Sequence, residues 1–130
     1  MIERVNPPSL AAPSGFAHAV RAAGTVVFLA GQTAMRPDGT IAGATVAEQF
    51  EVALGNLLTA LAAAGGEPGQ LASLTIYAVD LASYQAHGRE IGAAWRRLAG
   101  RDYPAMAAVQ VSRLWDPAAL VELQGWAVVS

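Results

Sequence analysis

The sequence predicts an α+β fold in which two helices cover one face of a mixed sheet. Two segments carry apolar residues at helical spacing, and five have the β-branched or apolar character of strands, in the order β-β-α-β-α-β-β. Apolar residues make up 54% of the chain and charged residues only 14%. We therefore expect the uncovered face of the sheet to pack against other copies of the chain.

The N-terminal part predicts two strands after an irregular start. Residues 1–14 contain three prolines and predict an extended lead-in. Ala17–Arg21 is a possible short strand, and Thr25–Ala30 is β-branched and aromatic, which predicts a buried strand. Gly31 follows directly, and a glycine at such a place marks a β-bulge or a close approach of the backbone to a ligand.

The remaining elements alternate between helix and strand. Val46–Ala64 has an apolar stripe every three to four residues and predicts a helix that ends at Gly65. Ser83 is a plausible N-cap for a second helix, which runs to Leu98. Three further strands are predicted at Leu71–Val79, Ala105–Val111 and Leu120–Val129.

Length and composition restrict the function classes. A chain of 130 residues predicts one domain, residues 1–130. The net charge is −2 and the eight basic residues, all arginines, are scattered, so no nucleic-acid or membrane partner is expected. The absence of cysteine excludes disulfides and thiolate chemistry, and with no signal segment we expect a cytoplasmic protein. No nucleotide or metal motif is present, so no cofactor is expected.

Short motifs in the predicted order resemble those of the RidA/YjgF family, the reactive intermediate/imine deaminases. Similar segments run through nearly the whole chain, about residues 13–129, and their order and spacing are more specific than any one of them. They are Val27–Gln32, Pro37–Gly39, the helix residues Gln49, Leu54, Asn56, Leu57 and Leu61, then Val79–Leu81, Tyr103–Ala105 and Val121–Leu123.

This resemblance implies a chorismate-mutase-like fold that assembles as a homotrimer around a central barrel. Clefts for small molecules would lie between neighbouring subunits. Family members typically hydrolyse reactive imine or enamine acids to keto acids and ammonia. The older family label, endoribonuclease L-PSP, implies RNA cleavage instead.

The chain departs from the family at residues that the resemblance assigns to deamination. The arginine that holds the substrate carboxylate is Met106 here, and a thioether cannot donate a hydrogen bond. The glutamate that positions water is Gln124, whose amide can orient water but cannot accept its proton at neutral pH. Ala17 stands at the place of a tyrosine. The loss of a positive and a negative charge predicts a less charged ligand.

Strand alternation places Met106, Ala108 and Gln110 on one face of their strand, and Glu122, Gln124 and Trp126 on one face of the last strand. If the family fold holds, Met106 and Gln124 face the same cleft. The candidate ligand-binding residues around that cleft are Ala17, Gly31, Gln32, Met106, Ala108 and Trp126.

Replacement catalytic groups are His18, Gln124 and Glu122. His18 follows the lost tyrosine position and could act as acid or base, but a surface or interface histidine is the favoured interpretation. Glu122 could serve as a base or be structural. Arg21 and Arg113 could reach a carboxylate from elsewhere, and His87 is expected to be solvated.

Three functions remain open. The first is a divergent hydrolase of an imine, enamine or related metabolite, with classical 2-imino-acid deamination weak or lost. The second is a non-catalytic trimer that binds or senses a small ligand. The third is ribonuclease activity, against which the acidic balance and the missing basic groove argue.

Overall fold

A computed structural model describes residues 1–130. In chain order its elements are β1 Ile2–Val5, β2 Ala19–Ala22, β3 Thr25–Gln32, α1 Val46–Ala63, β4 Leu71–Ala78, α2 Leu81–Ala86, α3 Gly88–Ala99, β5 Ala105–Gln110 and β6 Val121–Val129. The predicted α+β class is confirmed, because helices pack on one face of a mixed sheet. No helix has the length and apolar character needed to cross a membrane.

The main sheet has four strands in the order β3-β6-β4-β5. Strand β6 runs antiparallel to both β3 and β4, whereas β5 runs parallel to β4. The parallel connection is made by α2 and α3, which carry the chain across one face. Strands β1 and β2 form a separate antiparallel pair that reaches the main sheet through one bridge between Ala17 and Ala105.

Helix α1 anchors the core. It begins with a capping box, in which Thr45 Oγ1 accepts from the Glu48 amide and the Glu48 carboxylate accepts from the Thr45 amide. Its predicted apolar stripe is buried against the sheet and α3. The largest buried side chains of this core come from α1, β4, α3 and β6, and include Phe50, Leu54, Leu57, Leu61, Leu71, Leu74, Trp95 and Leu123. The helix ends as predicted at Gly65, whose φ of 89° favours glycine.

One buried polar side chain ties α1 to the start of β6. The Gln49 side chain, 3% exposed, donates from Nε2 to the carbonyls of Gly43 and Ala118, both at 3.2 Å. Its Oε1 accepts from the Leu120 amide at 2.8 Å. Three backbone groups of two loops therefore depend on one amide, which fixes how the chain enters β6.

The sheet face opposite the helices is largely uncovered, and we call it the open face. Its apolar side chains include Phe28, which is 73% exposed, and Trp126, which is 53% exposed. The two rings pack edge to face with centroids 5.4 Å apart. Val26 and Val109 extend the same surface. This face is the surface expected to need cover.

Two N-terminal predictions were wrong. The lead-in contains a strand, since β1 pairs with β2 from Ile2–Ala22 to Val5–Ala19. A four-residue strand with two charged residues has too little apolar pattern to stand out in the sequence. The second strand starts at Ala19 rather than Ala17, because Ala17 bridges to Ala105 instead.

The second helix also differs from its prediction. It begins at Leu81, and its N-cap is Asp80, whose carboxylate accepts from the Ser83 amide at 3.1 Å; Ser83 is not the cap. The helix then breaks at His87, which separates α2 from α3. His87 is half-buried rather than solvated, and its Nδ1 lies 2.8 Å from the Ser83 carbonyl oxygen, so Nδ1 donates.

Replacing Gln49 by leucine should lower the free energy of unfolding by about 2 kcal/mol, because the three backbone groups lose their partner while the volume is kept. Urea denaturation followed by circular dichroism, at one protein concentration, measures this change. The control is Gln85→Leu on exposed α2, expected to shift stability by less than about 0.5 kcal/mol. Equal effects of the two substitutions would contradict the bridging role.

Candidate active-site cleft

A cleft of about 470 Å³ opens between β5, helices α2 and α3, and the segment 14–16. A volume of this order suits a small metabolite. Most of its lining is apolar or aromatic. The lining residues are Ser14, Gly15, Phe16, Phe50, Ile76, Tyr84, Gly88, Ile91, Gly92, Trp95, Arg96, Tyr103, Met106, Ala107 and Ala108.

Four aromatic rings form rigid walls of the cleft. Trp95 stacks on Tyr103, with centroids 5.1 Å apart and planes 16° apart, and its Nε1 donates to the Asp102 carbonyl at 3.1 Å. Phe50 meets Tyr84 edge to face at 6.1 Å. These contacts hold the rings in place. Trp95 and Phe50 are buried, so the partly exposed rings of Tyr84 and Tyr103 are the ones that a flat or apolar ligand body would touch.

The polar groups at the cleft are few. Burial raises the pKa of the Tyr84 phenol well above its ordinary value, and the neighbouring Tyr103 adds to the effect. The Tyr84 hydroxyl therefore stays protonated at neutral pH and can donate. Arg96 is the one charged side chain in the lining, and it makes no hydrogen bond or ion pair within the chain.

Met106 lies in the cleft, on the helix-facing side of β5. It pairs in register with the buried Leu74 of β4, as Ala108 pairs with Ile76, and both therefore face the helices. Gln110 shares this side, where its Oε1 accepts from the Leu81 amide at 2.9 Å. The predicted common face of residues 106, 108 and 110 is confirmed.

Gln124 lies on the opposite face of the sheet. It pairs with Thr75 of β4, accepts from the Tyr77 hydroxyl at 3.3 Å and is exposed on the open face. Glu122 and Trp126 share that face, as predicted. Within one chain Met106 and Gln124 therefore do not face the same cleft, because they project from opposite sides of the sheet. A second copy of the chain is needed to bring the two side chains together.

Gly31 forms the predicted bulge and lies against Glu122. The register of β3 with β6 shifts between Leu29 and Gln32, which places Gly31 in the irregularity. A Cβ built on Gly31 would lie 2.0 Å from Glu122 Oε2, so the glycine makes room for that carboxylate. Gln32 lines a separate shallow depression with Met35, Arg36 and Asn56 and does not reach the cleft.

His18 is placed outside the cleft lining. Its Nε2 lies 2.7 Å from the Ala11 carbonyl oxygen, so this nitrogen donates, and its ring meets Phe16 edge to face at 5.0 Å. Its backbone amide donates to Asn6 Oδ1. These contacts tie the N-terminal segment down and favour a structural role. Ala17, the neighbouring candidate, is 4% exposed and its amide donates to the Pro104 carbonyl beside β5.

The two arginines considered from the sequence are engaged elsewhere. Arg113 donates to the carbonyls of Leu114 and Trp115 in its own loop, and Arg21 pairs with Glu3 at 3.7 Å on the surface.

Sequence reasoning missed Arg96. The signal was the spacing of Gly88, Gly92 and Arg96, since residues four apart share a helix face, and here two glycines leave that face open beside an arginine. No group of three potential metal ligands is present.

Comparison with known proteins defines the class. The family model described as Endoribonuclease L-PSP matches residues 7–129. The chain therefore belongs to the RidA/YjgF family, as the sequence motifs indicated. No protein with a curated description matches the sequence.

Solved structures agree with this assignment. YyfB from Yersinia pestis, a protein of unknown function of the conserved Rid protein family, is 30% identical, with 98% of each chain covered and a TM-score of 0.85. TdcF from E. coli, solved with bound serine, is 27% identical over 92% of this chain and 91% of its own, with a TM-score of 0.72. The YjgF gene product of E. coli is 25% identical over 96% and 94%, also with a TM-score of 0.72.

Replacing Gly31 by alanine should lower stability by about 1–2 kcal/mol, because the added methyl group displaces the Glu122 carboxylate. In a Glu122→Ala background the obstructing atoms are gone and the penalty should disappear. A double-mutant cycle by chemical denaturation measures the coupling. The same penalty in both backgrounds would show that Gly31 serves the backbone alone.

Proposed function

We propose that this chain is a divergent Rid-family hydrolase, which acts on an imine, enamine or related small metabolite in a cleft completed between subunits of a homotrimer. The observation that carries the proposal is the preformed aromatic cleft at Met106. The family framework supports it, as does the serine-bound TdcF, which shows that a relative holds a small polar molecule. A cytoplasmic location, without nucleic acid or membrane partners, belongs to the same proposal.

The reaction needs little chemistry from the protein. Water adds to the carbon of the C=N bond while the nitrogen gains a proton; the resulting carbinolamine then breaks its C–N bond and releases ammonia and a carbonyl compound. Orienting the water is the main requirement. Gln124 or Glu122 of a neighbouring copy would do this, since both project from the open face. Tyr84 would donate a hydrogen bond within the cleft.

Classical deamination of 2-imino acids should be weak because Met106 cannot hold a carboxylate from β5. We expect ammonia release from the imine of alanine, made in situ by an amino-acid oxidase, to be slower than in an arginine-containing homologue by about tenfold or more. Met106→Arg should recover part of this rate, and Met106→Leu is its control. A wild-type rate equal to that of the homologue would contradict the proposal.

A second function is favoured by one specific observation. The cleft within one chain contains no carboxylate and no imidazole, and His18 is held away from it by the Ala11 carbonyl. The chain would then be a non-catalytic trimer that binds or senses a small ligand. Thermal stabilisation by a metabolite that is never converted would favour this alternative over hydrolysis.

Either function requires the cleft to be the ligand site, which Gly92→Leu tests. Gly92 lines the cleft, and a Cβ built on it meets nothing within 4 Å. Leucine should therefore fill the cleft while it stabilises α3 by up to about 1 kcal/mol, because glycine is a poor helix former.

The matched control is Gly55→Leu on α1, where a Cβ also meets nothing within 4 Å but the residue is not part of the cleft lining. Differential scanning fluorimetry with a metabolite panel should show ligand stabilisation in wild type and Gly55→Leu and none in Gly92→Leu. Retained stabilisation in Gly92→Leu would place the ligand elsewhere.

A further inference from the structure

We infer that the cleft binds a small carboxylic acid with a flat apolar body, and that Arg96 of α3 holds the carboxylate. This rests on the proposed function only in taking the cleft as the ligand site. The expectation of a less charged ligand considered residues 106 and 124 alone. It did not include the cation that α3 brings to the same cleft.

Arg96 is free to bind an anion. The three ion pairs of the chain involve Arg4, Arg21 and Arg97, and Arg96 belongs to none of them. Its neighbour Arg97 points away from the cleft to Glu51 of α1. No acidic side chain lines the cleft, so nothing there neutralises the guanidinium. A guanidinium presents parallel N–H groups that match the two oxygens of a carboxylate.

The rest of the cleft selects the body of the ligand. On α3, Gly88, Gly92 and Arg96 follow one another at four-residue spacing, so two positions without side chains lead along the helix to the cation. A Cβ at either glycine meets nothing within 4 Å, so packing within the chain does not require them. Glycine inside a helix lowers its stability, and at Gly92 the missing side chain leaves open space in the cleft.

The walls fit an aromatic or similarly flat group. Tyr103 and Phe16 offer partly exposed rings, the buried ring of Trp95 supports Tyr103 by stacking on it, and Met106 offers a polarisable apolar surface from β5. The family places its carboxylate-binding arginine on the strand at residue 106. Here the strand position is apolar and the cation comes from the facing helix. A ligand bound through Arg96 would lie in the same cleft with its acid group at the helix side.

Isothermal titration calorimetry with phenylacetate and phenylacetamide tests the inference, since the two differ in charge and share shape. We expect wild type to bind the acid more tightly than the amide. Arg96→Gln should lower the affinity for the acid by about tenfold and leave the affinity for the amide unchanged. The affinity of Arg96→Lys for the acid should fall between those of wild type and Arg96→Gln, because lysine keeps the charge but lacks the paired N–H groups of the guanidinium. A higher salt concentration should weaken binding of the acid and leave binding of the amide unchanged.

The control is Arg89→Gln, which removes an arginine of α3 that is outside the cleft lining and should change neither affinity. Equal affinity for acid and amide, or an unchanged affinity for the acid in Arg96→Gln, overturns the carboxylate assignment. If Gly92→Leu then abolishes binding of both compounds, the cleft remains the ligand site. Failure of wild type to bind either compound also overturns the inference. Turnover of an imine tests the proposed function separately.

Discussion

The central constraint on this molecule is that its sheet carries large apolar side chains on both faces while its helices cover only one. Helices α1 and α3 bury the side of β4 and β6 that carries Leu74 and Leu123. The other side presents Phe28 and Trp126 to solvent. Exposed aromatic surface of this kind indicates a partner surface, and the proposed trimer would cover it with the chain's own copies. The same division separates the cleft from Gln124 within one chain, so the proposed site needs the proposed assembly.

Most of the fold could be predicted because its elements have strong local patterns. The stripe of α1 and the glycine pair after it define that helix, and the alternation along β5 and β6 assigns their faces correctly. Gly31 identified the bulge. The misses lie where local pattern is weak. Strand β1 is stabilised by pairing with β2 rather than by its own composition, and the break at His87 separates two helices that share one continuous periodicity.

The site was predictable only in part. The face of a strand on which a side chain lies follows from sequence alternation, whereas the set of side chains that line a cleft follows from how helices and strands pack against one another. Alternation placed Met106 and Gln124 each on a defined side of its own strand. It could not show that the two sides are opposite, since that depends on the register of β5 and β6 with β4. Arg96 was missed for a similar reason: only the tertiary arrangement of α3 shows that Arg96, rather than Arg97, lines the cleft.

The measurement that bears most directly on this account is sedimentation equilibrium of the wild-type chain. If the open face is covered by copies of the chain, and the cleft is completed by that assembly, the protein should sediment as one species of three times the 13.4 kDa chain mass. A single species of 13.4 kDa across the concentration range would contradict it. Met106 and Gln124 would then stay on opposite faces of a monomer, and no shared cleft would exist.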